Sequence, residues 1–450
     1  MYQWIALGIT IIILGLLAVK KPLWLVPLLG VAVALEISNT WYPDLALAGK
    51  TLEAASLTKF TSLAIILSAL VRLPFSQEMK RKLGAILKDP LAIVLIIYLI
   101  LGAVSILYSA DPGKTVTEAL RLLAMFFIFI AIALLVDKEQ ALLPFKAVHA
   151  GALLLAPLAL YEGVTGNLIW QGENLLKEHI LRVNTTFIDP NIFARFIILG
   201  IVANFILQLY TREKEIKLVY LAGLAILLAE LMATASRGGV ITLFVILIAT
   251  LILLPNRKAA LWVLGLGLLC GAMVLFLRPD MWERMASITQ DAAVSNTQRL
   301  YLWKAAIAIF KDNLFAGTGL GSFQTVFLQH YIDLKNVPDG ATLSHTTILT
   351  VAAELGILGL TVLAALWVAL LGKLYMLFVN NNHRGDYLLN IFDDSNNDYF
   401  VGAGCFLWIL TVFISSQGEG RFFEDPILWL SCALIIVLRF SLREYRPRRY

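Results

Sequence analysis

Apolar runs long enough to cross a membrane alternate with short polar breaks from one end of this chain to the other. They fall near residues 3–19, 22–36, 55–73, 90–108, 119–136, 146–162, 190–210, 217–233, 238–254, 259–277, 344–378, 398–415 and 426–440. A helix of about 20 apolar residues spans the hydrocarbon core. The pattern therefore predicts an all-α, polytopic transmembrane helix bundle of about 12–13 spanning helices. Alternating strands of about ten residues, the signature of a membrane barrel, are not visible.

Two interruptions are long. Residues 163–189 form a polar loop carrying Glu173, Lys177, Glu178, His179 and Arg182. Residues 278–343 are the largest break and predict a loop subdomain. Within it Leu300, Trp303, Ile307, Phe310 and Leu314 recur at helical spacing, while Arg299, Lys304 and Lys311 lie off that stripe. The expectation is an amphipathic helix at the membrane surface, ended by a flexible turn at Gly317-Thr318-Gly319-Leu320-Gly321. The chain thus divides into N-terminal transmembrane helices over 1–165, central helices with an outer loop over 166–277, the large loop over 278–343, and C-terminal helices over 344–450.

Composition sharpens this picture. Hydrophobic residues make up 59% of the chain and charged residues 15%, and mean hydropathy is +0.81. Soluble domains carry about 25% charged residues. The first run lacks a basic leader and a small-residue cleavage site, and Lys20-Lys21 leads straight into the next run. It is expected to stay as a spanning helix or anchor. Short basic loops at Lys20-Lys21, Arg72 to Lys88, Arg212 to Lys217, Arg257-Lys258 and Arg443 to Arg449 fall on one side, which the positive-inside rule makes cytoplasmic. The net charge of +5 then reflects topology and predicts no nucleic-acid partner. Cys270, Cys405 and Cys432 lie in or beside apolar runs without paired spacing or a histidine cluster. They read as buried structural thiols, neither disulfide nor metal ligands.

The outer ends hold the chemistry. Ionisable residues at bilayer depth cost free energy and default to a functional reading. Arg182 precedes Asp189-Pro190-Asn191, where Asp189 or Thr186 can cap a helix and Pro190 suits its first turn. The arginine is either an interfacial charge snorkelling to water or a phosphate ligand beside free helical N–H groups. Arg195, one turn later, suits a carboxylate partner. Ser236-Arg237-Gly238-Gly239 leaves almost no room for a loop: Ser236 can cap, and the glycines admit close approach of backbone or ligand. Arg299 is a substrate contact or a solvated charge. Arg421 is expected to pair locally with Glu424 or Asp425. His345, in Ser344-His345-Thr346-Thr347, is a structural histidine or a proton acceptor suited to neutral pH.

The order of these motifs resembles the O-antigen ligase and O-antigen polymerase superfamily. The resemblance runs over about residues 180–365: an arginine before a Pro-Asn helix start, Ser-Arg-Gly-Gly, Arg299 with Trp303, a Gly-x-Gly turn ending in Phe323, and a histidine opening a helix with Glu-x-Gly-x-x-Gly. Many relatives carry Asn after the histidine, where this chain has Thr346. The resemblance implies transfer of a glycan from an undecaprenyl-diphosphate carrier to an acceptor hydroxyl, of lipid A–core or of a second lipid-linked glycan, at the outer face of a bacterial inner membrane. It implies Arg182, Arg237 and Arg299 as diphosphate ligands and His345 as the base, with inversion at the anomeric carbon. With arginines neutralising the diphosphate no metal or other cofactor is expected, and the outer loops offer no evident acidic pair for Mg²⁺. A solute or ion transporter is the competing class; it calls for ionisable groups near the midplane and broken helices in both halves.

Overall fold

In the computed structural model, residues 2–43, 46–47, 50–51, 55–170, 182–253, 292–331, 344–382, 394–418, 420 and 422–444 are described, with positions 261, 265, 272 and 276. The chain is a helical bundle. The elements are α1 (Tyr2–Lys20), α2 (Leu25–Val33), α3 (Leu57–Arg72), α4 (Gln77–Leu87), α5 (Pro90–Val104), α6 (Pro112–Leu135), α7 (Leu143–Thr165), α8 (Pro190–Tyr210), α9 (Lys214–Ala233), α10 (Arg237–Leu253), α11 (Ala292–Asp312), α12 (Thr347–Asn382), α13 (Asp394–Ser416) and α14 (Pro426–Glu444). A two-residue antiparallel ladder pairs Ala46 with Thr51 and Leu47 with Lys50.

Nine helices among the described residues are long and apolar enough to cross a membrane, and Pro22–Val33, Arg237–Leu253 and Pro426–Leu438 are shorter apolar helices. Each expected run except 259–277, of which only four positions are described, coincides with one of these. Four helices open on Asp-Pro. Asp89, Asp111 and Asp189 cap α5, α6 and α8 by accepting from backbone N–H groups, and Asp425 accepts from Ile427 N at the start of α14. The carboxylate satisfies an orphan donor of the first turn, and proline has no N–H to leave unpaired there.

Burial defines the centre. Of the most apolar window, 78% is buried in both α8 and α13, against 11% in α1. α8 packs on α7, α9, α10 and α13, while α14 lies between α6 and α13. The crossings are close because small residues sit at them. A Cβ on Gly200 would stand 2.7 Å from Ala152, and one on Gly404 would stand 2.7 Å from Ile206. Trp408 of α13 stacks on Phe145 of α7 at 4.0 Å and donates Nε1–H to Leu199 O of α8 at 2.9 Å. Isoleucines and leucines on the outer faces of α1, α3, α5 and α10 are exposed, as they must be when lipid is the solvent. Cys405 and Cys432 are buried free thiols.

α11 corrects the expected stripe. Leu302, Ala305, Ala306 and Ile309 are its buried face, joined with Phe323, Val326, Phe327 and Ala353 in a small second core. Leu300, Ile307 and Leu314 are exposed, as are Lys304 and Lys311 on the same side. The alanines, weak in a hydropathy pattern, let α11 approach α12 closely.

At the basic-loop end, Lys138 pairs with Asp398 at 2.7 Å and Lys82 with Asp137 at 2.5 Å. Lys373 of α12 reaches Asp89, the cap of α5, and both side chains are buried. Removing one member of a buried pair strands the other charge and costs about 3–5 kcal/mol. Lys373→Ala is therefore expected to lower the melting temperature in detergent sharply. The double change Asp89→Asn with Lys373→Met, which keeps a cap and removes both charges, should recover most of the loss. Equal loss in the single and double variants would mean that charge pairing is not what holds these helices.

Candidate functional site

Four turns converge at the end of the bundle remote from the basic loops. The first is the approach to α8. Glu162, fully buried at the end of α7, accepts from Asn184 N at 3.0 Å and Thr185 N at 2.9 Å with one oxygen, and from Ile169 N at 2.8 Å with the other. Thr185 takes a left-handed backbone, φ 51°. Thr186 ties the turn to α2 by donating to Ala34 O at 2.5 Å. Arg182 emerges from this frame half-buried, donating Nε–H to Thr234 O at 3.3 Å and Nη2–H to Asn191 Oδ1 at 2.9 Å.

The second turn joins α9 to α10. Ser236 caps α10 by accepting from Gly239 N at 3.1 Å, and its hydroxyl donates to Asn191 Oδ1 at 2.7 Å. Asn191 thus gathers the Arg182 and Arg237 turns onto one amide oxygen. Ala235 is left-handed, φ 51°. The two glycines differ. A Cβ on Gly239 would meet Ala194 at 2.9 Å, whereas Gly238 has nothing within 4 Å and faces open space. Arg237 is half-buried and has no ion-pair or hydrogen-bond partner among the described residues.

The third turn opens α12. His345 is itself left-handed, φ 56°. Ser344 Oγ holds the turn, accepting from Thr346 N at 3.3 Å and bonding Thr350 Oγ1 at 2.8 Å. Thr347 donates to Ser416 Oγ at 2.9 Å and Thr346 to Gln417 O at 3.3 Å, tying the turn to the end of α13. Ser415 there lies 3.5 Å from Thr242 of α10. Hydrogen bonds join Arg182, Asn191 and Ser236, α10 carries the link on to Thr242 and Ser415, and the neighbouring Ser416 and Gln417 bond the His345 turn. Among the described residues, all three non-glycine residues with positive φ sit in these three turns, and such backbone strain gathers at functional sites.

The fourth turn is the glycine loop, and it is not flexible. α12 breaks at Gly356, φ 62° and ψ −154°. The freed N–H groups of Ile357 and Leu358 donate to Leu314 O and Phe315 O at 2.9 and 3.3 Å. The carbonyls of Ala353 and Glu354 accept from Thr318 N and Gly319 N at 3.1 and 2.8 Å. On the other side the loop is clasped by the α5–α6 turn. Ser105 Oγ accepts from Leu320 N at 3.0 Å, Ala110 N donates to Thr318 O at 3.0 Å, and Thr115 donates to Leu320 O at 2.7 Å. Side chains would not fit: a Cβ on Gly317 falls 2.3 Å from Glu354 C, and one on Gly319 falls 2.4 Å from Ser109 Oγ.

Between this loop, α6, α12, Gly420 and residues 422–424 lies a cavity of about 690 Å³. Its walls carry Asp111, Lys114, Glu118, Arg121, Gln324, Thr347, Thr350, Glu354 and Glu424. Arg121 bridges Glu118 at 3.0 Å and Glu424 at 3.4 Å. The Lys114 amide, then the Thr325 hydroxyl, hold the Asp111 carboxyl below its ordinary range. Glu354 accepts from Phe323 N at 3.2 Å.

Arg182, Arg237 and His345 stand in linked turns, while Arg299 is exposed on α11, the helix seated on α12. None of the four lines the cavity. Arg195 meets Asp425 at 3.3 Å, the carboxylate partner its position called for. Arg278, Arg284, Glu173, Lys177, Glu178, His179, Cys270 and Arg421 lie outside the described residues. The cavity itself escaped sequence reading, although Asp111-Pro112 and Glu354-Leu355-Gly356 were its visible traces. No cluster of metal-ligand type occurs among the described residues.

The lock makes a prediction. Gly356→Ala and Gly317→Ala each force a side chain into left-handed backbone, about 1–2 kcal/mol, and onto a neighbouring peptide as well. Both should lower thermal stability and open the 314–321 loop to limited proteolysis. Gly238→Ala, in open space, should do neither. Unchanged protease resistance in both lock variants would refute the lock.

Against known proteins, residues 222–364, from α9 into the first half of α12, match the family model for O-Antigen ligase. No curated protein matches the chain. The matched stretch holds Arg237, Arg299, the glycine loop and His345, with Arg182 upstream of it. Over this stretch the chain is similar to the O-antigen ligase family.

Proposed function

We propose that this membrane protein transfers a glycan from undecaprenyl diphosphate to an acceptor hydroxyl at the outer face of a bacterial inner membrane. The observation that carries the reading is Arg237: a half-buried cation at a membrane-edge turn, without a partner among the described residues, beside an open glycine face. A guanidinium presents five donors in a planar fork matched to phosphate oxygens. Arg182 donates to Asn191 and Thr234, so it orients the turn, and in this reading its guanidinium faces the same anion. Arg299, exposed on α11, reaches the diphosphate from the loop side.

The reaction needs two services. As the anomeric C1–O bond breaks, its electron pair passes to the diphosphate, and the arginines stabilise that growing charge. The acceptor oxygen attacks C1 from the opposite face, forms the new C–O bond and inverts the centre. Its proton passes to neutral His345. The family match supports glycan transfer by a membrane enzyme, and lipid A–core and a second lipid-linked glycan are the two acceptors the reading allows.

The test is transfer in nanodiscs from undecaprenyl-diphosphate oligosaccharide to either acceptor. A product on lipid A–core marks a ligase; a ladder of lengthened lipid-linked glycan marks a polymerase. His345→Ala should lower turnover by about 10²–10⁴-fold, the usual contribution of a general base, with donor affinity kept. Arg237→Ala and Arg237→Lys should weaken donor binding, and Gly238→Leu should block it in a folded protein. Full turnover without His345 would remove the base from the mechanism. Absence of donor binding in the unaltered protein would move the reading to a transporter.

A further inference from the structure

The cavity beneath the glycine loop has a charge balance opposite to that of the arginine turns. Asp111, Glu118, Glu354 and Glu424 face Lys114 and Arg121, so carboxylates outnumber cations by two, four less two. A diphosphate would meet repulsion there. A neutral, hydroxyl-rich group would find acceptors on the carboxylates and the side-chain amide of Gln324. It would also find an apolar floor where Tyr98 and Phe423 stack at 4.0 Å. The size falls within the about 300–1,000 Å³ of small-molecule sites, which join apolar walls to a few fixed polar groups.

The walls are also rigid. Arg121 is fixed between two carboxylates, Lys114 bonds Gln324, and Asp111 is held by Thr325 at 2.7 Å. Side chains held in this way meet a ligand at little further entropic cost. The cavity reaches the reacting end of the molecule through α12: Thr347 and Thr350 line it, and Thr350 bonds Ser344, next to His345.

We propose that this cavity binds the acceptor as an uncharged sugar, so that the two reactants are sorted by charge, the diphosphate to the arginine turns and the hydroxyl-bearing pyranose to the carboxylate cavity. The assignment to the acceptor rests on the transferase reading above; the sugar site itself does not. Glu118, Glu424 and Gln324 receive the hydroxyls, and the aromatic floor receives the C–H face of the ring.

The experiment is saturation-transfer NMR on the full chain in nanodiscs, which avoids sugar-headed detergents. The probes are maltotriose and glucose 6-phosphate. Maltotriose should take up saturation, and glucose 6-phosphate should not displace it. Glu424→Gln and Thr117→Trp should each weaken the signal at least tenfold. Thr117 is an exposed residue on the cavity wall, so filling the mouth there spares the fold. In the transfer assay Thr117→Trp should raise the KM for acceptor and leave that for donor unchanged. No maltotriose signal, a signal undiminished from the unaltered protein in both variants, or competition by the phosphorylated sugar would overturn the proposal. Donor binding is titrated separately with undecaprenyl diphosphate. Its loss with the sugar signal kept would sink the transferase reading and leave a sugar site.

Discussion

The hydrogen-bond exchange between the broken helix α12 and the glycine loop is what the turn-bearing end of this molecule depends on. A helix that breaks near lipid leaves carbonyls and amides without partners, and the membrane interior supplies none. Here residues 314–319 return each of them a bond, and only glycine fits at the two closest approaches. The exchange fixes the start of α12, and with it the turn that carries His345. It also roofs the carboxylate cavity and seats α11. A helix continuous through Gly356 would need none of this and would build none of it.

The remaining turns are held by the same economy of shared polar atoms. One oxygen of Glu162 receives two successive amides, and one oxygen of Asn191 receives both Arg182 and Ser236. Such shared acceptors let three left-handed non-glycine residues persist, since each strained turn is over-determined by its surroundings. The central helices α8 and α13 give these turns a stiff base.

Much of this was legible in the chain. Hydropathy marked the spans, Asp189-Pro190 marked the start of α8, and Ser236 announced its cap. The position of Arg195 foretold its carboxylate, though not which one. What stayed hidden was every contact joining distant segments. Gly317 to Gly321 reads as a flexible turn because glycine signals freedom and crowding with the same letter. Its role emerged only with Glu354 and Ser109 against it. The stripe on α11 misled for a related reason: its alanine face is apolar too weakly to register, yet it is the smallness of alanine that lets the helix pack. The cavity draws on segments from Tyr98 to Glu424, and no local spacing could have disclosed it.

The chain order of the lock bears on biogenesis. Ser105, Ala110 and Thr115, the clasp, are synthesised first, then the loop, and α12 last. The loop and its clasp are therefore already synthesised when the segment that needs their hydrogen bonds is made. Lys373 likewise enters the bilayer after Asp89 is in place to receive it. Insertion proceeds from template to dependent part, so that neither the broken helix nor the buried lysine has to wait in lipid for its partner to be made.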